Sequence, residues 1–189
     1  MRFGTDGIRG VANVDITPEV ALALGRAAAV VLGSTIAVGR DTRRSGGMLE
    51  SAFAAGVTSA GVDVIRMGIA PTPAVAWVAA DRKIAGAVIS ASHNPWTDNG
   101  IKLFATGGRK LDDATERAVE SALLSPPPTG PAGSISLGPQ LVDRWADALV
   151  ASLRGRRLDG LSVVVDCANG AAAWVAADVL SAAGASVHA

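Results

Sequence analysis

The sequence has little of three features that would indicate particular classes of protein: cysteine, net charge and long apolar segments. Its 189 residues include one cysteine, Cys167, so an internal disulfide framework is excluded and a reducing compartment is favoured. Seventeen basic and seventeen acidic residues give zero net charge, which does not favour a nucleic acid or an anionic membrane as partner. The opening MRFGTDGIRG has no long apolar run, so we expect no signal peptide, no membrane span and a cytoplasmic location.

What the sequence does have is an alternation of strand and helix patterns with ample apolar residues, 49% of the total. Thr17 and Pro18 predict the start of a helix that Gly33 ends, and Ser45 is predicted to cap a second helix. Apolar strands are predicted at residues 34–38, 62–67, 85–89 and 101–104. Strand-helix units that repeat every ~25 to 30 residues predict a layered α/β domain, with a mixed or mostly parallel sheet and helices on both faces.

The composition of the chain indicates two domains of unequal length. The proline-rich residues 125–131 cannot form helix or sheet and predict a stiff connector. The basic run at residues 154–157 is more typical of a solvated domain junction than of a binding site. One strand-helix unit and a last strand follow, too few to cover both faces of a sheet. We therefore predict a first domain over residues 1–153 and the beginning of a second, truncated α/β domain over residues 154–189.

A polar loop follows the apolar strand at residues 85–89. Its polar side chains are Ser90, Ser92, His93, Asn94, Thr97, Asp98 and Asn99. Ser92, just before His93 and Pro95, could present a nucleophilic hydroxyl at a turn, whereas Ser90 is close enough to the strand to cap it. An ordinary hydrogen-bonded turn explains the same residues equally well. A Ser-His-Asp triad fits poorly, because side chains adjacent in sequence point apart.

Arginines accompany glycine and aspartate in two further segments. Arg9 could hold two phosphate oxygens with its planar fork, or could pair with Asp6 on a surface turn. Arg40 and Arg43 follow the predicted strand at residues 34–38 together with Asp41, at the end where α/β sheets bind ligands. They could bind a sugar phosphate or form an ion-pair network; we favour the network for Asp41, and the sequence does not divide Arg40 from Arg43.

Four motifs in order over about the first 110 residues together resemble the α-D-phosphohexomutase superfamily. They are FGTDGIRG at residues 3–10, VGRDTR at 38–43, GIAPTP at 68–73, and SASHNP at 90–95 with DNGIK at 98–102. The last resembles the phosphoserine loop of that superfamily. Within it, the form of FGTDGIRG at residues 3–10 most resembles the bacterial branch that acts on glucosamine phosphates.

The resemblance implies a reaction. Phospho-Ser92 would donate its phosphoryl group to the 1-hydroxyl of glucosamine 6-phosphate and take back the 6-phosphoryl group of glucosamine 1,6-bisphosphate, which is also the activator. The product, glucosamine 1-phosphate, would serve UDP-N-acetylglucosamine and cell-wall synthesis. One Mg²⁺ would bind the phosphate on Ser92, and its other ligands would lie outside this chain. The expected partner is a small phosphosugar, with a homodimer left open.

The same resemblance assigns roles to residues. Ser92 is the expected phosphoryl carrier, His93 orients it, and Lys102 and Arg9 are candidates for proton transfer and charge stabilisation. The alternative for Lys102 is a strand residue with its ammonium in solvent. The residues expected to bind phosphate or brace the site are Thr5, Arg40, Arg43 and Asn94.

Three motifs of the superfamily do not occur in the 189 residues: an Asp-Gly-Asp-x-Asp-Arg-like magnesium loop, a Glu-x-Ser-Gly-like sugar-selecting loop and an Arg-x-Ser-Gly-Thr-like phosphate loop. We therefore expect the chain alone to be inactive. A related mutase for glucose or mannose phosphates and a non-catalytic phosphosugar-binding fragment remain alternatives. A dinucleotide-binding domain lacks support, because no Gly-x-Gly-x-x-Gly follows an N-terminal strand.

Overall fold

The computed structural model describes residues 7–33 and 35–189. The elements, in chain order, are β1 (Ile8–Val11), α1 (Pro18–Leu32), β2 (Ile36–Arg40), α2 (Gly46–Ser59), β3 (Val64–Ile69), α3 (Thr72–Arg82), β4 (Ala85–Ile89), β5 (Asp98–Phe104), α4 (Asp113–Ala122), β6 (Ile135–Leu137), α5 (Gln140–Ala151), β7 (Ser162–Val164), a short 3₁₀ helix (Ala171–Trp174), α6 (Ala176–Ala182) and β8 (Ser186–His188).

The main sheet has six strands in the order β1-β5-β4-β2-β3-β6. Its β4-β2-β3-β6 part is parallel, whereas β5 pairs antiparallel with both β4 and β1. The predicted α/β fold with a mixed, mostly parallel sheet is confirmed. The antiparallel pairing of β4 with β5 requires the chain to reverse between residues 89 and 98, and this reversal is the polar loop.

Helix ends show where local sequence decides the structure. Thr17 caps α1 by accepting a hydrogen bond from the Val20 N–H at 3.4 Å, and Gly33 ends the helix in a left-handed conformation, as predicted. The prediction that Ser45 caps α2 is wrong, because its side chain makes no cap hydrogen bond. The Ser45 hydroxyl instead accepts a hydrogen bond from the buried Asn99 amide at 2.9 Å, so tertiary contact replaces the cap.

Apolar side chains fill both faces of the main sheet. On one face α1 and α2 pack on the strands through Leu24, Leu49 and Phe53. On the other face α3 and α5 contribute Val75, Val78 and Trp145. Trp145 is 8% exposed, as expected of a packing residue. The sheet edges β1 and β6 were not predicted as strands; both are short, and all three residues of β6 are exposed.

The C-terminal segment forms a small two-stranded parallel sheet, β7-β8, beside α6. Val175 and Val179 at α6 pack into the same cluster as Trp145, which joins this segment to α5. Residues 125–131 contain no helix or strand. Within the described residues, no helix is both long enough and apolar enough to cross a membrane.

Candidate active site

A cavity of about 730 Å³ lies where β2, β3 and β4 end. Its walls are the loops at residues 41–44, 70–73 and 90–96, and the turn at residues 168–172. The carboxyl ends of neighbouring parallel strands meet at one edge of a sheet, so three of the four sequence motifs converge there. The turn at residues 168–172, the fourth wall, was not predicted to line the cavity. Thr42 reaches it by donating a hydrogen bond to the Asn169 carbonyl at 2.7 Å.

Ser92 stands on the cavity wall in an unusual backbone conformation. Its φ is 57°, in the left-handed region that non-glycine residues adopt rarely and at a cost of about 1–3 kcal/mol. The residue is exposed, and its Oγ lies 3.4 Å from His93 Nδ1. A hydroxyl at the tip of a sharply turned loop is accessible to a ligand in the cavity.

Ser90 is placed differently from Ser92. Its hydroxyl donates to Asp41 Oδ2 at 2.7 Å and accepts the Ser92 N–H at 3.0 Å. Both hydrogen-bonding functions of the Ser90 hydroxyl are therefore used inside the protein. Ser92 is the better placed of the two serines to act as a nucleophile, and Ser90 joins the loop to Asp41.

Arg43 lies behind the loop, and its side chain is 11% exposed. Nε donates to Asp41 Oδ2 at 3.0 Å. Nη1 donates to the carbonyls of Pro95 (2.5 Å) and Asp98 (2.9 Å), and Nη2 to those of Ser92 and Asn94, both at 2.8 Å. The guanidinium is thus surrounded by the backbone of the polar loop.

Arg40 has a separate partner. Its Nε donates to Glu50 Oε2 at 3.1 Å, and the Glu50 side chain is 1% exposed. Arg66 of β3 donates to both oxygens of the same carboxylate, at 3.1 and 2.9 Å, and this hydrogen bonding raises the pKa of Arg66. Arg40 and Arg43, whose roles the sequence could not distinguish, therefore have different partners in the structure. Glu50 was missed; a lone glutamate on an apolar helix was the available signal.

Asn94 belongs to the loop's own hydrogen-bond network. Its amide donates to Asp98 Oδ2 at 3.0 Å, and its backbone N–H donates to the Ala91 carbonyl at 3.1 Å. Gly100 is needed just beyond the loop, because a Cβ there would approach Arg9 Cγ and the Ser90 carbonyl oxygen to 2.9 and 3.0 Å. The same Cβ would clash with the Ile8 carbonyl oxygen of β1, so β5 can lie against both β1 and the start of the loop only with glycine at this position.

Strand register places Arg9 and Lys102 relative to the cavity. Arg9 is opposite Gly100, and Lys102 is opposite Val88. Directly opposed residues of paired strands share a face of the sheet, and so do residues two apart in one strand. Arg9 and Lys102 therefore lie on the same face as Val88, and Val88 lines the cavity. Neither side chain itself lines the cavity, and Lys102 Nζ is 5.9 Å from the Phe104 ring centroid. Thr5 lies outside the described residues.

The site has few metal-binding groups of its own. Over residues 7–33 and 35–189, no three histidine, cysteine, aspartate or glutamate side chains are grouped so that they could hold a metal ion. Asp41 and Asp98 already accept hydrogen bonds from Arg43 and Asn94. Cys167 is half-buried in the turn before the fourth wall.

Comparison with known proteins identifies the family of this chain. The family model "Phosphoglucomutase/phosphomannomutase, alpha/beta/alpha domain I" matches residues 1–127. Proteins named phosphoglucosamine mutase from Rhodococcus opacus and Mycobacterium leprae are 52% and 53% identical over 98% of this chain. The chain spans 44% and 42% of their respective lengths.

Solved structures give the same fold. A phosphoglucomutase/phosphomannomutase family protein from Burkholderia thailandensis superposes with a TM-score of 0.82 at 28% identity, over 96% of this chain and 42% of that one. A protein described as a putative phosphomannomutase from Thermus thermophilus, 24% identical, has a TM-score of 0.81 over 99% of this chain and 45% of that one, and supports the fold alone. The chain belongs to the phosphoglucomutase/phosphomannomutase family and contains its α/β/α domain I.

Proposed function

We propose that this chain supplies the phosphoserine part of a phosphoglucosamine mutase, which interconverts glucosamine 6-phosphate and glucosamine 1-phosphate. The observation that carries the proposal is the exposure of Ser92 on the cavity wall, in a left-handed backbone conformation. The chain is also about half identical to proteins with that name. The chain spans less than half of those relatives. By the complete protein we mean this chain extended to their length. We also propose a domain boundary near residue 153.

Ser92 Oγ is the proposed carrier of the phosphoryl group. It gives the group to the sugar hydroxyl at position 1, and the group at position 6 of the bisphosphate then returns to it. The transferring group spreads negative charge over its outer oxygens, so catalysis depends mainly on positioning and on nearby positive charge. His93, whose Nδ1 lies 3.4 Å from Oγ, is proposed to orient the phosphoserine.

The proposed sources of positive charge are Arg9 and Lys102. Both lie on the sheet face that borders the cavity. The planar fork of an arginine suits two phosphate oxygens, whereas a lysine can also move a proton when its surroundings lower its pKa. Thr5, in the same motif as Arg9, is proposed to bind phosphate.

Mg²⁺ is the proposed cofactor. The residues fit such an ion in one respect: a phosphate on the exposed Ser92 hydroxyl offers the hard oxygen ligand that Mg²⁺ prefers. The remaining carboxylate ligands would belong to the rest of the complete protein. When bound, the ion would offset charge on the transferring group. Glucosamine 1,6-bisphosphate is the proposed intermediate and activator.

The test is Ser92→Ala in the complete protein, assayed with glucosamine 6-phosphate, bisphosphate and Mg²⁺. We expect mutase turnover to fall to background with the melting temperature unchanged, because an exposed loop hydroxyl contributes little packing. Ser51→Ala is the matched control, since Ser51 Oγ bonds only within its helix, to the Gly47 carbonyl. Wild-type turnover in Ser92→Ala would overturn the proposal. A preference for glucose or mannose phosphates would keep the chemistry and change the substrate.

A further inference from the structure

We propose that Arg43 is a positioning residue that sets the geometry of the phosphoserine loop and does not itself bind the substrate. This inference rests on the proposed role of Ser92. It assigns to one guanidinium the task of holding four backbone carbonyls, and with them the strained conformation of Ser92.

The hydrogen bonds of Arg43 match the donors of a guanidinium in number. A guanidinium has five N–H groups in a fixed plane. In this structure it makes five hydrogen bonds, one from Nε to Asp41 and two each from Nη1 and Nη2 to loop carbonyls. No donor is left for a sugar or a phosphate. An arginine that binds substrate would need at least one N–H directed into the cavity.

The acceptors explain why the loop needs this cation. The carbonyl oxygens of Ser92, Asn94, Pro95 and Asp98 converge from one turn of backbone, and their partial negative charges repel one another. The loop between β4 and β5 closes an antiparallel pair in about eight residues. The carbonyls of Ser92, Asn94 and Pro95 therefore lie outside the strands, and Asp98 is the first residue of β5. A planar cation in the middle satisfies all four at once.

The link to Ser92 is direct. Arg43 Nη2 donates to the Ser92 carbonyl at 2.8 Å, and the Ser90 hydroxyl accepts the Ser92 N–H at 3.0 Å. Both peptide groups that flank the Ser92 Cα are therefore held from behind the loop. Asp41 accepts hydrogen bonds from both Arg43 and Ser90, so one carboxylate links the two side chains that hold Ser92. A left-handed serine persists only when its surroundings fix it in this way.

Charge alone cannot replace this arrangement. Asp41 offsets the positive charge of Arg43, and the Arg43 side chain is 11% exposed, so little of that charge acts in the cavity. A lysine at position 43 keeps the charge but has three donors on a single nitrogen. It cannot reach five acceptors arranged around a plane. Arg43→Lys should therefore behave as a loss of geometry.

The kinetic test compares Arg43→Lys and Arg43→Ala with wild type in the complete protein. A misplacement of about 1 Å can cost about 100-fold in rate, so we expect kcat to fall about that much, with KM changed by less than about threefold. Added guanidinium ion should raise kcat of Arg43→Ala and leave Arg43→Lys unchanged. Arg144→Lys, at an exposed arginine paired with Asp81, is the control. A kcat within threefold of wild type in Arg43→Lys, or a large rise in KM alone, would overturn the inference.

Hydrogen exchange on the complete protein tests the same inference without any turnover. In Arg43→Lys, the amides of Asn94 and Asp98 should exchange at least tenfold faster, because their turn is no longer held. Amides of β4 should exchange at the wild-type rate. Unchanged exchange at the loop would contradict the role of Arg43. Failure of wild type to transfer phosphate from Ser92 would instead refute the proposed function, and the exchange result would still decide the bracing role.

Discussion

Glu50 offers the clearest quantitative prediction, because it is the buried centre of an ion-pair network. Its carboxylate is 1% exposed and accepts three hydrogen bonds, one from Arg40 and two from Arg66. Glu50→Ala removes all three and leaves two arginines without this partner. Removing one member of a fully buried pair costs about 3–5 kcal/mol, mainly for the stranded charge.

The exposure of the arginines lowers that figure. Their side chains are 27% and 30% exposed, so water can solvate both guanidinium groups after the substitution. We therefore expect Glu50→Ala to destabilise the protein by about 2–3 kcal/mol, below the range for a fully buried pair. For a chain of this length, that loss corresponds to a melting temperature lower by about 4–12 °C.

The assay is urea unfolding followed by circular dichroism, together with a thermal melt, on the wild type and Glu50→Ala. Asp81→Ala is the control, since Asp81 is half-exposed and pairs with Arg144 at 3.5 Å; it should change stability by less than about 0.5 kcal/mol. A Glu50→Ala loss no larger than that of the control would refute the reasoning. It would mean that the network contributes nothing beyond a surface pair.

The remaining predictions concern the site and one helix end. Ser90→Ala removes two hydrogen bonds and should lower kcat of the complete protein by about 30-fold, the value of two net hydrogen bonds of about 1 kcal/mol each; a loss equal to that of Ser92→Ala would leave the nucleophile undecided. The isolated chain should show no mutase turnover with Mg²⁺ and bisphosphate, and measurable turnover would contradict our view that further loops are required. The Thr115 N–H hydrogen bond lowers the pKa of Asp112, which caps α4. The cap should therefore stabilise α4 above the ordinary carboxyl pKa and weaken as pH falls through the lower folded value; Asp112→Ala, followed by NMR, should abolish this pH dependence.

Much of the fold could be predicted because local patterns decide it. The apolar run at Ala85–Ile89, the Thr17 cap and Gly33 each specify their structure within a few residues. The edge strands β1 and β6 could not be predicted, since each is short and acquires its conformation from a neighbouring strand. The cap at Ser45 failed for a related reason, because Asn99, distant in sequence, hydrogen-bonds its hydroxyl.

The candidate site was predictable in its residue types and not in its connections. The sequence indicated Ser92 and the arginines after β2, but two arginines three positions apart can point in different directions. Arg40 turns to Glu50 and Arg43 turns to the loop, a division that depends on where α2 and β5 pack. The turn at residues 168–172 entered the cavity wall through tertiary packing, for which no local signal exists.

The proposed mutase reaction requires Ser92 to carry a phosphoryl group. The most direct measurement is the intact mass of the complete protein, followed by peptide mass spectrometry to locate any phosphate. We predict a single phosphoryl group on Ser92, with none on Ser90. An unmodified Ser92 that also resists labelling by glucosamine 1,6-bisphosphate would contradict the role proposed for Ser92 and favour a non-catalytic phosphosugar-binding role.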